Sequence, residues 1–210
     1  IKDPGALSKV TAIVGTGAAK VDKKLLTMLP NLKLIAICGV GYDGVDVDAA
    51  KDRGITVTHT PGVLTEDVAD LAMGLVLSIG RRLPQADKFV RNGDWVDDSF
   101  PLTHKVSGAR LGVVGMGRIG QAIAKRATAF DMRIAYTSRT AKVGVTYAYY
   151  KTVVALASEV DYLVVAVPGG DATHNLIDSA VLNALGSKGY LINIARGSVV
   201  DQPALVQALK

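Results

Sequence analysis

Short apolar runs alternate with segments of helical spacing along the chain. In the first part, apolar residues dominate near 11–14, 33–38 and 55–58, and residues 21–29 and 45–53 between them repeat apolar positions at helical intervals. Strands that alternate with helices in this way predict βαβ units and a parallel sheet. The hydrophobic pattern therefore indicates an α/β fold.

A long helical pattern separates this part from a second α/β part. Residues 65–82 are predicted to form one helix. A threonine followed by the acidic Glu66 and Asp67 is typical of the first turn of a helix, and the two arginines are typical of its last turn. Residues 84–105 form a polar connection that carries Asn92, Gly93, Asp94, Trp95 and Pro101. The later elements are predicted to be a strand that begins at Arg110, a helix at 121–130 and strands at 133–140, 162–167 and 189–194.

The two parts predict two domains. We expect residues 1–60 to form one α/β domain that is truncated at its start. Residues 61–210 are expected to form a doubly wound Rossmann-type domain that is truncated at its end. Residues 202–210 are predicted to begin a helix, with Pro203 in its first turn, and the helical pattern ends without a cap.

Composition and charge narrow the function. The chain has 210 residues, of which 49% are hydrophobic and 20% charged, so it can bury a sizeable core. Its formal charge of +5 is dispersed and has few aromatic neighbours, which argues against nucleic acid as a partner and still favours anionic small molecules. The longest apolar stretch, at 71–80, is too short to span a bilayer, and no signal peptide is visible. We therefore expect a cytoplasmic protein without a membrane partner.

The chain has one cysteine, Cys38, within an apolar run. The residue is predicted to be a small buried hydrophobe rather than a nucleophile, and a single cysteine excludes an intrachain disulfide. No metal site is predicted from the sequence.

A glycine-rich turn is the most informative motif. A buried strand runs directly into G-x-G-x-x-G, formed by Gly115, Gly117 and Gly120. The first glycine permits a tight turn, the second lets the backbone approach a pyrophosphate, and the third lets helix and strand pack closely. The phosphates would lie on the N–H groups at the start of the helix, near Arg118 and Ile119. The motif predicts a dinucleotide site, with a merely structural turn as the alternative.

The segment after the next strand bears on the choice of cofactor. An NAD site usually offers an acidic residue about 20 positions beyond the glycines, whereas this chain has Ser138, Arg139 and Thr140. A guanidinium and two hydroxyls would bind a 2′-phosphate, and a carboxylate would repel it. NADP(H) is therefore favoured, while NAD(H) use and a plain surface arginine stay open.

Five segments of the chain carry recognisable motifs, and these are residues 38–43, 60–70, 115–120, 165–169 and 192–201. Together they resemble the D-isomer-specific 2-hydroxyacid dehydrogenases, and the resemblance covers nearly all of the chain. Within that family, the lack of an acid before Arg139 and the Gly-Val-Gly-Tyr-Asp loop are most similar to NADPH-using glyoxylate, hydroxypyruvate or hydroxyphenylpyruvate reductases. The resemblance implies a Rossmann-type domain and part of a flavodoxin-like substrate domain.

The resemblance also implies roles for single residues. Arg196 would pair with the substrate carboxylate and polarise the keto oxygen, which suits a planar group with five donors. The alternative for Arg196 is a structural arginine that caps a neighbouring carbonyl or pairs with Asp201. Val40 and Gly41 would offer backbone N–H groups to the same carboxylate, with a simple turn as the alternative.

Further cofactor contacts are implied in the same way, and each of these residues also suits an ordinary core or turn position. Thr65 and Val68 would approach the nicotinamide from the long helix. The strand that ends in Val167 and Pro168 would pass the adenosine. The remaining implied contacts are Gly170, Ile194 and Ala195.

The chain departs from the family pattern in its acid–base residues. Family members use a downstream glutamate and a later histidine to protonate the new alkoxide, and neither is found in these residues. His59, where the family often has asparagine, His104 and His174 are interpreted as structural or solvated histidines. We expect either a longer chain that supplies the donor or an inactive fragment.

The implied reaction is hydride transfer from NADPH to the C2 carbonyl of glyoxylate, hydroxypyruvate or an arylpyruvate, which gives a D-2-hydroxy acid. The substrate would bind in the cleft between the domains, and the long helix with the arm around Trp95 would form a homodimer. The alternatives are a phosphoglycerate, formate or phosphite dehydrogenase of the same family and a nucleotide-sensing, corepressor-like binding protein.

Overall fold

The structure is a computed structural model, and it describes residues 4–210. The chain divides into two compact units, Ile1–Leu64 and Thr65–Lys210. The boundary predicted from the sequence lay at residues 60 and 61. Each unit contains its own parallel sheet.

The first unit has three parallel strands in the order β1-β2-β3 within its described residues. Aspartates begin two of its helices, because the side chains of Asp22 and Asp46 accept hydrogen bonds from the backbone N–H groups of Leu25 and Ala49, each at 2.9 Å. The core lies between helices and sheet, around Ile35 and other apolar residues. The elements are α1 (Pro4–Leu7), β1 (Ala12–Thr16), α2 (Lys23–Thr27), β2 (Leu34–Cys38), α3 (Val47–Asp52) and β3 (Thr56–His59).

The second unit begins with two helices and continues into a doubly wound sheet. Its elements are α4 (Thr65–Gly80), α5 (Leu83–Arg91), β4 (Arg110–Val114), α6 (Arg118–Thr128), β5 (Arg133–Thr137), β6 (Ala148–Tyr150), α7 (Val153–Ala157), β7 (Tyr162–Val165), α8 (Ser179–Leu185), β8 (Tyr190–Asn193) and α9 (Gln202–Ala208).

The sheet of the second unit has the strand order β6-β5-β4-β7-β8, and all of the paired strands are parallel. Val114 pairs with both Thr137 and Val165, and Val165 pairs with Asn193. The carboxyl ends of β4, β5, β7 and β8 therefore meet at one edge of the sheet. In open α/β sheets this edge is where ligands bind.

Helices cover both faces of this sheet. On one face Leu111, Val113 and Tyr162 pack with residues of α4 and α6, and on the other Leu163 and Val165 pack with residues of α7 and α8. Alternate residues of β7 thus face opposite layers, as the period of a strand requires. The Rossmann-type α/β fold predicted from the sequence is confirmed.

Some predicted elements differ from the structure. The helix predicted at 65–82 ends at Gly80, because Arg82 adopts a left-handed conformation with φ 51° and begins a new helix, α5. That helix occupies part of the polar connection, to which the sequence pattern had assigned no helix. β6 is a short edge strand that the apolar pattern did not reveal. The burial predicted for Cys38 is wrong, since the side chain is exposed at the last position of β2.

Candidate active site

The turn after β4 has a geometry that depends on its glycines. Gly115 adopts φ 101°, and a Cβ there would lie 2.7 Å from the carbonyl oxygen of Ala166. A Cβ on Gly120 would clash with the carbonyl oxygen of Gly115, so helix α6 packs directly on the turn. A Cβ on Gly117 would meet no described atom within 4 Å. The turn therefore leaves open space beside its middle glycine.

Helix α6 begins at this open space. Its N-cap, Gly117, has no side chain with which to cap the first turn, and Arg118 at the next position is exposed. The first N–H groups of an α-helix have no intrahelical acceptor, and they carry the positive end of the helix dipole. This helix start can therefore accept a phosphate group without displacing a side-chain cap.

The end of β5 lies beside the glycine turn. The N–H of Gly115 donates to the carbonyl of Thr137 at 2.9 Å, which fixes the following residues next to the turn. The Ser138 hydroxyl donates to the carbonyl of Thr140 at 2.6 Å, and Arg139 between them is exposed. The hydroxyl of Ser138 can still accept a hydrogen bond, so this tight turn offers both a hydroxyl and a guanidinium to an anion.

Two tyrosines support this turn from the sheet. The hydroxyl of Tyr149 donates to the carbonyl of Ser138 at 3.3 Å, and the hydroxyl of Tyr136 accepts from the N–H of Lys142 at 2.8 Å. Their rings pack together with centroids 5.4 Å apart. The segment that carries Arg139 is therefore anchored on both sides by side chains of β5 and β6.

The end of β7 forms a second turn at the same edge of the sheet. Val167 is half-buried, Pro168 is exposed and Gly170 has φ 114°. The hydroxyl of Thr173 donates to the carbonyl of Pro168 at 2.7 Å and closes the turn. This turn lies beside the glycine turn, because a Cβ on Gly115 would meet Cγ1 of Val167 at 2.9 Å.

Asn193 organises the turn after β8. Its amide nitrogen donates to the carbonyl of Arg196 at 2.8 Å, and its side-chain oxygen accepts from the N–H of Ala195 at 2.9 Å. The N–H of Ile194 donates to the carbonyl of Val165 at 3.2 Å, which connects the turn to β7. Asn193 was not singled out from the sequence, although an asparagine at the end of a strand is a recognised turn-former.

The side chain of Arg196 is half-buried in this turn. Its guanidinium donates to the carbonyl of Ala195 at 3.1 Å, which is the carbonyl-capping role left open above. That contact is compatible with anion binding, because a guanidinium carries five donors in a fixed fork.

Thr65 and Val68 occupy the first turn of α4, where both are half-buried. Arg126 of α6 donates to the carboxylates of Glu66, at 2.7 Å, and Asp70. The hydrogen bond to Glu66 is the largest cause, and with the hydrogen bond to Asp70 it raises the pKa of Arg126 above its usual value. The start of α4 is thus fixed to the helix that begins at the glycine turn.

In the first unit, Val40 and Gly41 lie in the loop that follows β2, and both are half-buried. Thr60, directly after β3, holds the start of this loop: its N–H donates to the carbonyl of Gly39, and its hydroxyl accepts from the N–H of Gly39, each at 2.9 Å. The Nδ1 atom of His59 lies 2.9 Å from the carbonyl oxygen of Val40. His59 therefore has a specific structural contact in this loop.

The other two histidines lie in the second unit. The ring of His104 contacts the ring of Tyr190 edge-on, with centroids 5.8 Å apart, and His174 is exposed after a short 3₁₀ turn. Across residues 4–210, the structure brings together no group of three His, Cys, Asp or Glu side chains that would suit a metal ion. None of the helices described in that range is both long and apolar enough to cross a membrane.

The fold and the turn after β4 define a Rossmann-type protein of the nucleotide-binding class. The family model for the NAD-binding domain of the D-isomer specific 2-hydroxyacid dehydrogenases matches residues 73–210. The chain belongs to this family, as its motifs predicted.

Three relatives illustrate the likeness. The chain is 50% identical over 202 residues to glyoxylate/hydroxypyruvate reductase A HPR2 of Arabidopsis thaliana, and 50% identical over 200 residues to hydroxyphenylpyruvate reductase of Plectranthus scutellarioides. These matches cover 96% and 95% of this chain and 64% of each relative. Among solved structures, the NADPH-dependent glyoxylate/hydroxypyruvate reductase SmGhrB of Sinorhizobium meliloti, in complex with NADP and malonate, has a TM-score of 0.92 at 46% identity. That match covers 99% of this chain and 66% of SmGhrB.

Proposed function

We propose that this chain contains the cofactor-binding domain and part of the substrate domain of an NADPH-dependent 2-keto acid reductase. The substrate would be glyoxylate, hydroxypyruvate or an arylpyruvate, and the product a D-2-hydroxy acid. The names of the Arabidopsis, Plectranthus and Sinorhizobium relatives support this substrate class. The observation that carries the proposal is the open glycine turn at Gly117 with Arg139 on the adjacent strand end.

The residues at the sheet edge fit a dinucleotide. The N–H groups at Gly117, Arg118 and Ile119 would hold the pyrophosphate, since the space beside them is open. The turn at Ser138, Arg139 and Thr140 would bind a 2′-phosphate, because charge-assisted hydrogen bonds from a guanidinium suit its oxygens. The other turns supply the remaining contacts of the proposal, which are Val167, Pro168 and Gly170 for the adenosine and Ile194, Ala195, Thr65 and Val68 for the nicotinamide.

When bound, the cofactor would supply the hydride, and the protein would orient the keto acid. Arg196 would pair with the carboxylate and polarise the C2 carbonyl, which favours the negative charge that develops on its oxygen. Val40 and Gly41 would donate their N–H groups to the carboxylate. We assign the proton donor to none of the described histidines. The ring of His59 is engaged at Val40, that of His104 contacts Tyr190, and His174 is exposed after a 3₁₀ turn outside the turns of the proposed site.

We also propose a homodimer formed through the second unit. The outer faces of α4, α5 and the segment after them expose many large apolar side chains, and an apolar surface of this kind commonly marks an interface. A two-fold dimer would bury the same surface on both copies. The exposed side chains are Leu71, Leu75, Ile79, Leu83, Val90, Trp95, Val96 and Leu102.

The dimer can be tested by light scattering on the full-length gene product. We expect a dimeric mass for the unmodified protein and a monomeric mass for Leu75→Glu, which places a charge in this surface. A monomeric unmodified protein would contradict the proposal.

A cytoplasmic location is also part of our proposal, and it rests on the single cysteine of the chain.

The cofactor proposal is tested by steady-state rates with NADPH and NADH on the same full-length protein. We expect NADPH to be preferred with hydroxypyruvate or glyoxylate. Arg139→Ala should lower kcat/KM for NADPH by roughly 10- to 100-fold, the usual effect of losing a charged hydrogen-bond donor, and should change the NADH value little. Arg133→Ala, at the other end of β5, is the matched control. Preference for NADH in the unmodified protein would contradict the 2′-phosphate site.

A further inference from the structure

The loop after β2 is held from one side by the end of β3. Two successive carbonyl groups of the loop accept hydrogen bonds from that side: the carbonyl of Gly39 accepts from the N–H of Thr60, and the carbonyl of Val40 lies 2.9 Å from Nδ1 of His59. A carbonyl can only accept, so Nδ1 of His59 carries a hydrogen in this contact.

These contacts also orient the N–H groups of the loop. The carbonyl of Gly39 shares a peptide plane with the N–H of Val40, and the carbonyl of Val40 shares one with the N–H of Gly41. In a trans peptide the N–H points away from its carbonyl, and the described residues contain no cis peptide bond. Because the carbonyl of Val40 lies against Nδ1 of His59, the N–H of Gly41 on the same peptide points away from that ring. A backbone N–H held in this way can donate to an anion.

The imidazole contacts the loop at a second place. The ring of Tyr42 meets the ring of His59 edge-on, with centroids 4.9 Å apart and an interplanar angle of 74°. His59 thus contacts the residues on both sides of Gly41. Its hydrogen bond to Val40 also polarises the peptide group, which makes the N–H of Gly41 a stronger donor.

We propose that His59 is a positioning residue for the substrate carboxylate. By donating to the carbonyl of Val40 and packing against Tyr42, it fixes the peptide between Val40 and Gly41 and directs the N–H of Gly41 at the anion. The proposal rests on the reductase function above, in which this loop binds the carboxylate of the keto acid. His59 does not itself touch the reacting atoms.

Two substitutions separate the hydrogen bond from the ring. His59→Phe keeps an aromatic ring against Tyr42 and removes the donor. His59→Asn removes the ring and keeps an N–H at the position of Nδ1, since both nitrogens are bonded directly to Cγ. His104→Phe is the matched control, because His104 also contacts a tyrosine edge-on, at Tyr190, in the other unit.

Steady-state kinetics of the full-length gene product with NADPH and hydroxypyruvate provide the test. We expect His59→Phe to raise KM for the keto acid roughly five- to tenfold, the usual effect of one hydrogen bond. It should leave kcat and KM for NADPH within about twofold, because the carboxylate is bound equally in the ground and transition states. His59→Asn should stay within about twofold of the unmodified protein, and His104→Phe should change nothing.

The nitrogen NMR spectrum of His59 gives a readout that does not depend on activity. We expect a hydrogen on Nδ1 of His59, and we expect His59→Phe to shift the amide signal of Gly41. An Nε2–H tautomer, an unchanged KM in His59→Phe or an equal defect in His59→Asn would each overturn the positioning role while leaving the reductase function intact. An unmodified protein that reduces no keto acid would overturn both.

Discussion

In the proposed site, two loops would offer backbone N–H groups to ligands, each at the end of a parallel strand, and the two loops are built differently. The turn at 115–120 is shaped by its own glycines, since Gly115 has φ 101° and helix α6 packs against it at Gly120. The loop at 39–43 also begins with a glycine of positive φ, Gly39 at 146°, and in addition it is held by contacts from a neighbouring strand end, mainly those of His59 and Thr60. The same chemistry can thus be supported by local backbone geometry or by tertiary contacts.

This difference predicts different sensitivities to substitution. A turn that depends on the absence of a side chain should fail sharply when a methyl group is added. A loop that depends on hydrogen bonds from its neighbours should weaken in small steps, because each hydrogen bond contributes only about 1 kcal/mol.

The largest effect is expected for Gly120→Ala. Its Cβ would clash with the backbone carbonyl of Gly115, so helix α6 must move away from the turn. We expect the free energy of unfolding to fall by about 3 kcal/mol, at the upper end of overpacking effects, and cofactor binding to be lost. Chemical denaturation and NADPH titration would measure both changes.

Gly117→Ala is the matched control for this change. A Cβ there meets no described atom within 4 Å, and the backbone φ is −83°. We expect unchanged stability and weaker NADPH binding, because the methyl group occupies only the space beside the helix start. Equal stability losses in Gly117→Ala and Gly120→Ala would contradict the view that close packing, rather than backbone freedom, requires Gly120.

The same difference explains what the sequence could predict. The glycine turn was predicted residue by residue, because φ above zero and close packing both demand glycine, and the demand is visible at fixed spacing. The fold class followed from the alternating pattern of strands and helices. The family resemblance singled out Val40, Gly41 and Arg196, yet their supports, His59 and Asn193, became clear only in the structure. Contacts between residues distant in sequence leave no local periodicity.

Some local features were also missed. The exposure of Cys38 depends on β2 ending at that residue, and apolar content alone cannot locate a strand end to one residue. The helix α5 follows α4 almost directly, because Arg82 takes a left-handed conformation that an arginine rarely adopts. The sequence offered no glycine or asparagine at Arg82 to indicate this break.

An intermediate effect is expected for Asp161→Asn, which acts at the other end of the glycine-turn strand. The carboxylate of Asp161 accepts three hydrogen bonds from Arg110, the first residue of β4. The backbone N–H donates at 2.8 Å, Nε at 3.2 Å and Nη2 at 2.8 Å. These hydrogen bonds lower the pKa of Asp161. We expect a loss of about 1–2 kcal/mol at neutral pH, limited by solvent screening, with unchanged cofactor affinity.

The pH dependence follows from the direction of that shift. The carboxyl group has a lower pKa in the folded state than its ordinary 3.8, so its stabilisation is present above that value and is lost as the pH falls through the lowered pKa. Denaturation curves of the unmodified protein and of Asp161→Asn should therefore converge on acidification. Asp87→Asn is the control, since Asp87 pairs with Arg91 on an exposed helix face. A constant difference at all pH values would contradict this origin.

The smallest effect is expected for Thr60→Val in the loop of the first unit. The substitution removes the hydroxyl that accepts from the N–H of Gly39 and keeps the backbone hydrogen bond in the other direction. Because the site is exposed, water can replace the lost acceptor, and we expect a cost of roughly 0.5–1 kcal/mol. Thr58→Val, at an exposed position of the preceding strand β3, is the control. Hydrogen exchange at the Gly39 amide should be several times faster in Thr60→Val only. A decrease in the free energy of unfolding as large as that expected for Gly120→Ala would mean that the loop tolerates substitution no better than the glycine turn.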